Sequence, residues 1–171
     1  GNPRVHIDSN GSVGVNQVNP SNRLHVDSGG SVAAARFERS TDGTLRSVII
    51  FSPSSGGDVG SIDIANTSTS YTTSSDYRLK ENVSYDWNAT TRLKQLKPAR
   101  FNFIIEPDQT VDGFLAHEVS SVVAQAVSGE KDAVDENGNI QSQSIDHSKL
   151  VPLLVKTIQE LEARITALEA G

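Results

Sequence analysis

The chain is predicted to be an α+β protein: a β-structured front, then a small α+β unit that ends in a long helix. Three observations carry this. Residues 1–75 are rich in Gly, Ser and Thr and repeat a short alternating phrase. From Lys80 onward, where every lysine lies, the apolar spacing moves from two towards three and four. The last twenty or so residues hold the most regular apolar stripe in the sequence. With 36% hydrophobic and 5% aromatic residues over 171 positions, a rich single core is not expected, and oligomerisation is a natural source of further burial. The boundary is placed between residues 1–75 and residues 76–171.

In the front part, R-V-H-I-D-S-N-G-S-V (Arg4 to Val13) returns as R-L-H-V-D-S-G-G-S-V (Arg23 to Val32). Each copy reads as an alternating strand, a Gly-containing turn and another short strand, the pattern of hairpins or stacked β-turns. His6 and His25 recur at one repeat position on these strands and read as strand residues, not metal ligands. Further strands are expected at Ala34–Arg39, Leu45–Phe51 and Val59–Ile64, followed by the low-complexity phrase T-S-T-S-Y-T-T-S-S. Strands this poor in apolar surface need a second layer. Either neighbouring chains supply it in an intertwined fibre, or the strands close as a small solitary sandwich.

Behind the boundary, Ala89–Leu96 reads as a helix ended by Lys97-Pro98, and Ala99–Ile105 as a strand. The phrase V-D-G-F-L-A-H-E-V leads into a helix with Val119, Val122, Val123 and Ala126 on its apolar positions, then a polar turn around Asp135–Asn139. A helix over about residues 149–170 closes the chain, with Pro152 in its first turn, where a missing N–H costs little. Val151, Leu154, Ile158, Leu161, Ile165 and Leu168 alternate by three and four and form one a/d seam. A coiled coil and an amphipathic helix packed on its own unit both fit such a stripe. β-Branched residues at a with Leu at d favour two strands in parallel coils.

The formal charge of -6 argues against a nucleic-acid partner, which needs clustered Lys and Arg. The chain has no cysteine, so disulfides and thiolate metal sites are excluded, and no metal or cofactor is expected. No stretch reaches the apolar length of a membrane span, and Gly1-Asn2-Pro3 does not open a signal peptide. That abrupt opening is expected of a piece of a longer chain.

At the boundary stands S-S-D-Y-R-L-K-E-N, Ser74 to Asn82. By composition alone it reads as a solvated linker. Its wider context carries a resemblance, however. S-D-Y-R-L-K-E-N-V, R-L-K-Q-L-K-P-A-R-F-N-F, D-G-F-L-A-H-E-V, V-S-G-E-K-D-A-V and I-D-H-S-K-L-V-P-L-L-V-K-T-I-Q-E-L, in that order from Ser75 to about Leu168, resemble the intramolecular chaperone and auto-processing domain at the C-termini of phage tail fibres, tailspikes and endosialidases, the peptidase S74 family. The front half is similar to the fibre segments that precede this domain, through the phrase N-P-S-N-R-L-H-V.

The resemblance implies a nucleophile at Ser75 and a general base at Lys80. A serine hydroxyl attacks well only once a base takes its proton, and Ser-Lys pairs are a variant of the Ser-His arrangement. Lysine can serve only as the neutral amine, so burial or a neighbouring cation such as Arg78 has to favour that form. Because nucleophile and scissile bond share one chain, the reaction is expected in cis, once per chain. Asp76, Arg78, Asn82, His117 and Glu118 fall on motif positions that support cleavage or orient the site; by themselves Asn82 reads as a turn cap and Glu118 as a residue of a solvated helix face. Asp146-His147-Ser148-Lys149 departs from the family pattern, with histidine where tyrosine is usual.

The resemblance further implies a homotrimer of this chain with two identical copies, the upstream fibre segment as folding client and substrate, and no nucleic acid or membrane as partner. Residues 1–75 would belong to a virion tail fibre, and the remainder would act in the host cytoplasm during assembly. Two rival readings keep the same sequence: a permanent trimerisation cap that is never cut, and the related domain of a membrane-tethered transcription factor. A hydrolase acting on separate substrates ranks third, for want of paired acids on a defined frame.

Overall fold

Each copy of the repeated phrase folds back on its own aspartate. In the computed structural model, which describes residues 4–30, 33–38 and 43–171, Asp8 Oδ1 accepts from the Asn10 and Ser12 amides at 2.9 and 2.8 Å, and Asp27 Oδ1 from the Gly29 amide at 2.9 Å. Short acidic side chains that bond the backbone two residues on favour turns over longer strands. As a result β1 (Val5–Ile7) and β2 (Val13–Val15) form an antiparallel hairpin, and β3 (Leu24–Val26) joins β2 in parallel. The second strand of the second copy falls on Ser31 and Val32, outside the described residues. His25 Nδ1 lies 3.2 Å from Ser21 Oγ.

The strand expected at Ala34–Arg39 does not form over residues 34–38, while Arg39 lies outside the described residues. Ala33-Ala34-Ala35 offers no alternation to define a face, and Arg36 pairs with Glu38 at 3.1 Å in the open. The next sheet has the order β4 (Arg46–Phe51), β5 (Gly60–Ile64), β6 (Thr69–Thr73), all antiparallel. β6 occupies the low-complexity phrase. Its threonines suit a pleated surface, and Thr72 meets Ser61 across the ladder with hydroxyls 2.7 Å apart.

The chain divides into two units, residues 1–81 and 82–171. Among the described residues, every buried apolar side chain belongs to the second. In the first, the buried residues among those described are Ser12, Gly14 and Asp63, and Asp63 is held below the usual carboxylate range by the hydroxyls of Ser47 and Ser61.

The second unit opens with α1 (Ala89–Leu93), capped by Asn88, whose side chain accepts from the Thr91 amide at 2.9 Å. It is shorter than the expected Ala89–Leu96. Next come β7 (Ala99–Phe103) and β8 (Glu106–Gly113), an antiparallel pair. The strand expected to run on to Ile105 stops at Phe103, because Ile104 and Ile105 form the two-residue turn between β7 and β8. The helix expected through Ala126 also breaks. α2 (Ala116–Ser120) ends where the Ser120 and Ser121 hydroxyls bond back to the His117 and Glu118 carbonyls, and a 3-10 turn covers Ala124–Ala126. Two-residue strands β9 (Val127–Ser128) and β10 (Ser144–Ile145) pair antiparallel. A 3-10 turn at His147–Leu150 leads into α3 (Val151–Glu169), so the α-helix starts slightly later than the expected residue 149. Ala89, Val119, Val122, Val123, Ala126, Leu150 and Leu153 make the core.

α3 turns a different face inward from the one its stripe suggests. Leu153 and Thr157 are buried, whereas all six seam residues, Val151, Leu154, Ile158, Leu161, Ile165 and Leu168, are 41–81% exposed. Glu160 fixes this rotation. Its Oε1 accepts from the Ala89 amide at 2.8 Å, and its Oε2 from the Thr90 amide at 2.8 Å and hydroxyl at 2.5 Å. One carboxylate thereby serves the free N–H groups at the start of α1.

Those bonds, the Thr90 hydroxyl first, lower the Glu160 pKa from 4.5 to about 2. A group whose folded pKa is depressed stabilises the fold above its unfolded value and loses that contribution as pH falls through the folded one. Acid unfolding of the wild type is therefore expected to steepen between pH 4.5 and about 2, and Glu160→Gln to flatten that slope while lowering Tm at neutral pH. Circular dichroism melts across this range check both; an unchanged slope in the variant contradicts the linkage.

Candidate active site

Ser75 follows directly on a pinned strand end. The Ser74 amide donates to the Val59 carbonyl at 2.9 Å and its hydroxyl to the Asp58 carbonyl at 3.0 Å. The chain then turns at once: Asp76 accepts from the Arg78 amide at 2.8 Å, capping a 3-10 turn over Tyr77–Leu79. The Lys80 amide closes that turn on the Tyr77 carbonyl at 3.1 Å. The reversal returns the lysine side chain to the serine, five residues back. Lys80 Nζ lies 2.7 Å from Ser75 Oγ and 3.1 Å from the Ser75 carbonyl oxygen.

An ammonium at that position donates to both oxygens. When the amine is neutral, the same 2.7 Å approach lets it take the hydroxyl proton. Both residues are exposed in this chain, so the pair lacks the burial that the sequence reading asked for. Arg78 does little to offset this. Its guanidinium grips Asp76 as a fork, Nε to Oδ1 at 3.0 Å and Nη2 to Oδ2 at 2.7 Å, so its charge is matched by a carboxylate at the same place. Asp76 is correspondingly held below the usual carboxylate range by Arg78, through its side chain first and then its amide, with a smaller share from the Lys80 charge.

The structure thus brings Ser75, Asp76, Arg78 and Lys80 together in the first unit. Asn82, His117 and Glu118 belong to the second. Asn82 has a left-handed backbone, φ 52°, which asparagine tolerates better than most residues. Glu118 is half-buried and paired with Lys97 at 2.9 Å. His117 is exposed and lies on the rim of a groove of about 510 Å³ that includes Phe101, Phe114 and Ile145. Asp146 accepts from the Ser148 amide and hydroxyl at 3.0 and 2.6 Å. The His147 ring lies 6.4 Å from Phe114, tilted by 43°.

Sequence reasoning missed the bond from Lys80 to the Ser75 carbonyl, the Lys97 partner of Glu118 and the groove. The Asp-x-Arg spacing around Tyr77 could have announced the cap, since an N-cap aspartate bonds the amide two residues on. The Asp76 carboxyl is expected to titrate below the ordinary value of about 3.9, and Arg78→Gln to move its midpoint upward; carbon-detected NMR of the carboxyl reads both. Equal midpoints would remove the fork as the organiser of this turn.

No curated protein matches the chain. Residues 75–128, which contain Ser75, Lys80, His117 and Glu118, match the model of the Peptidase_S74 family, described as chaperone of endosialidase, so this stretch carries the signature of the family that the sequence motifs resemble.

Proposed function

We propose that residues 76–171 act as an intramolecular chaperone that holds three copies of the chain together while the β-structured segment pairs, and that Ser75 and Lys80 then cut the chain beside Ser75. The observation that carries the proposal is the 2.7 Å approach of Lys80 Nζ to Ser75 Oγ inside the family-matched stretch. In the reaction, Oγ attacks an adjacent peptide carbonyl as its proton passes to neutral Nζ. The proton returns to the departing amine, an ester forms on Ser75, and water releases it. Exposed Lys80 is a poor base in a lone chain, so cleavage on this reading follows assembly that covers the site.

Two features support the assembly step. The first unit has no buried apolar side chain of its own among the described residues, which suits strands that find their core on neighbouring copies. The seam of α3 points away from its own core. Burying a fully exposed side chain of this kind is worth roughly 1.5–3 kcal/mol, and these six are 41–81% exposed, so covering what remains gives a total of the same order as an association cost of about 4–15 kcal/mol. The Ile/Leu pattern alone favours two strands; three is the number that the family resemblance implies, and it is preferred here because stem and chaperone must share one symmetry. A template that gathers chain ends raises the effective concentration of slow-pairing strands. Once it is cut away, the product persists through its unfolding barrier.

The wild type is expected to yield a C-terminal fragment of about 10 kDa from its 18.3 kDa chain, and Ser75→Ala none. Lys80→Ala should slow cleavage by about 10²–10⁴-fold, the usual worth of a general base. Intact mass over time measures both; an uncut wild type leaves a permanent assembly cap. Neighbours on α3 give a second contrast. Leu153→Ala, in the core, is expected to cost about 2–5 kcal/mol at every protein concentration in urea unfolding. Leu154→Ala should act only through assembly, with a loss that depends on concentration. Concentration-independent effects from both would remove the seam as an interface.

A further inference from the structure

Two-residue hairpin connections are normally made by Asn-Gly, Asp-Gly or Gly-X, which accept the positive φ such turns ask for. The β7–β8 turn instead uses Ile104 and Ile105. Neither has a positive φ, and both stand in solvent, 101% and 90% exposed. Turn chemistry gives no reason for two β-branched residues here, and exposed apolar tips mark contact surfaces. Directly after them come two carboxylates, Glu106 and Asp108, also exposed.

The same unit carries the complementary shape. The groove of about 510 Å³ is walled by Phe101, Val111, Phe114, Leu115 and Ile145, with His117 and His147 at its rim. Asp112 at its edge is already paired with Arg100 at 2.8 Å. Gln143 and Ser144, also on the lining, bond the Gly129 carbonyl at 3.3 Å and the Ser128 hydroxyl at 2.8 Å, whereas the two imidazoles have an N–H that can donate to a carboxylate. The hairpin forms one wall of the groove, so its tip cannot enter without breaking the β7–β8 ladder. The occupant has to come from another chain.

We propose that the Ile104-Ile105 tip of one copy docks in this groove of the next, with Glu106 and Asp108 against the His117/His147 rim. Tip and groove are different patches, so the contact is head-to-tail, and it closes into a ring under cyclic symmetry. The inference rests on the assembly reading above and names a surface for it apart from the α3 seam.

The test uses the full chain carrying Ser75→Ala, which keeps it whole. Sedimentation equilibrium of this protein is compared with the same protein carrying Ile104→Asp and Ile105→Asp, substitutions at exposed positions. The dissociation constant of the trimer is expected to rise by about tenfold or more; an unchanged trimer overturns the docking and leaves the assembly reading standing, whereas a monomeric parent overturns both. Since the chain has no cysteine, Ile105→Cys and Leu115→Cys chains can be mixed and treated with a short bis-maleimide. A two-chain product from the mixture, absent from either variant alone, is expected. Products from Ile105→Cys alone, or only monomer-mass products from a chain carrying both Ile105→Cys and Leu115→Cys, count against it.

Discussion

The Glu160 carboxylate governs how the second unit presents its long helix. Bonded to the first amides of α1, it fixes α3 with Leu153 and Thr157 inward. A helix has a limited circumference, so whichever face is committed to its own core leaves the rest for solvent or a partner. Here the committed face is the more polar one, and the regular apolar seam is left outside. That arrangement runs against monomeric burial alone, which would turn the seam inward, and it makes sense for a helix that serves two interfaces at once.

The first unit shows the same incompleteness by other means. Its strands are three to six residues long, and its only buried side chains among the described residues are polar. Cross-strand hydroxyl pairs such as Ser61–Thr72 can hold register, yet they supply little of the apolar burial that makes an isolated sheet stable. Both units thus expose surfaces of the kind that association would cover. The strand pairing is long-range and the helix is local, so the helix can form first, which is the order a folding template requires.

Much of this was legible in the sequence wherever one period dominated. The seam from Val151 to Leu168, the β4 and β5 segments and the Ser75–Lys80 motif could each be read from spacing or resemblance. The failures have local causes. β6 was hidden because a Thr/Ser phrase looks like low complexity until a partner strand supplies the ladder. Ile104 and Ile105 looked like strand because β-branched residues prefer it, and only the pairing of Phe103 with Glu106 shows the turn. The helix past Ser120 was lost to two serine hydroxyls bonding back to the chain, a competition that apolar periodicity cannot register. Which face of α3 lies inward was undecidable from the stripe, since the deciding bond joins residues about seventy positions apart.

The site itself combines good geometry with an unfavourable environment. Short chain reversal through the Asp76-capped turn is enough to bring Lys80 to Ser75, and it needs nothing from outside the segment. Geometry of this kind exists as soon as the turn forms. A neutral amine is a different requirement, because it depends on removing water, and a turn at the surface with its nearest guanidinium already matched by Asp76 cannot do that alone. Under the proposed reading the two requirements are met at different times: the turn sets the distance, and neighbouring chains exclude the water. A nucleophile prepared early but made reactive late cannot separate template from client before the client has paired.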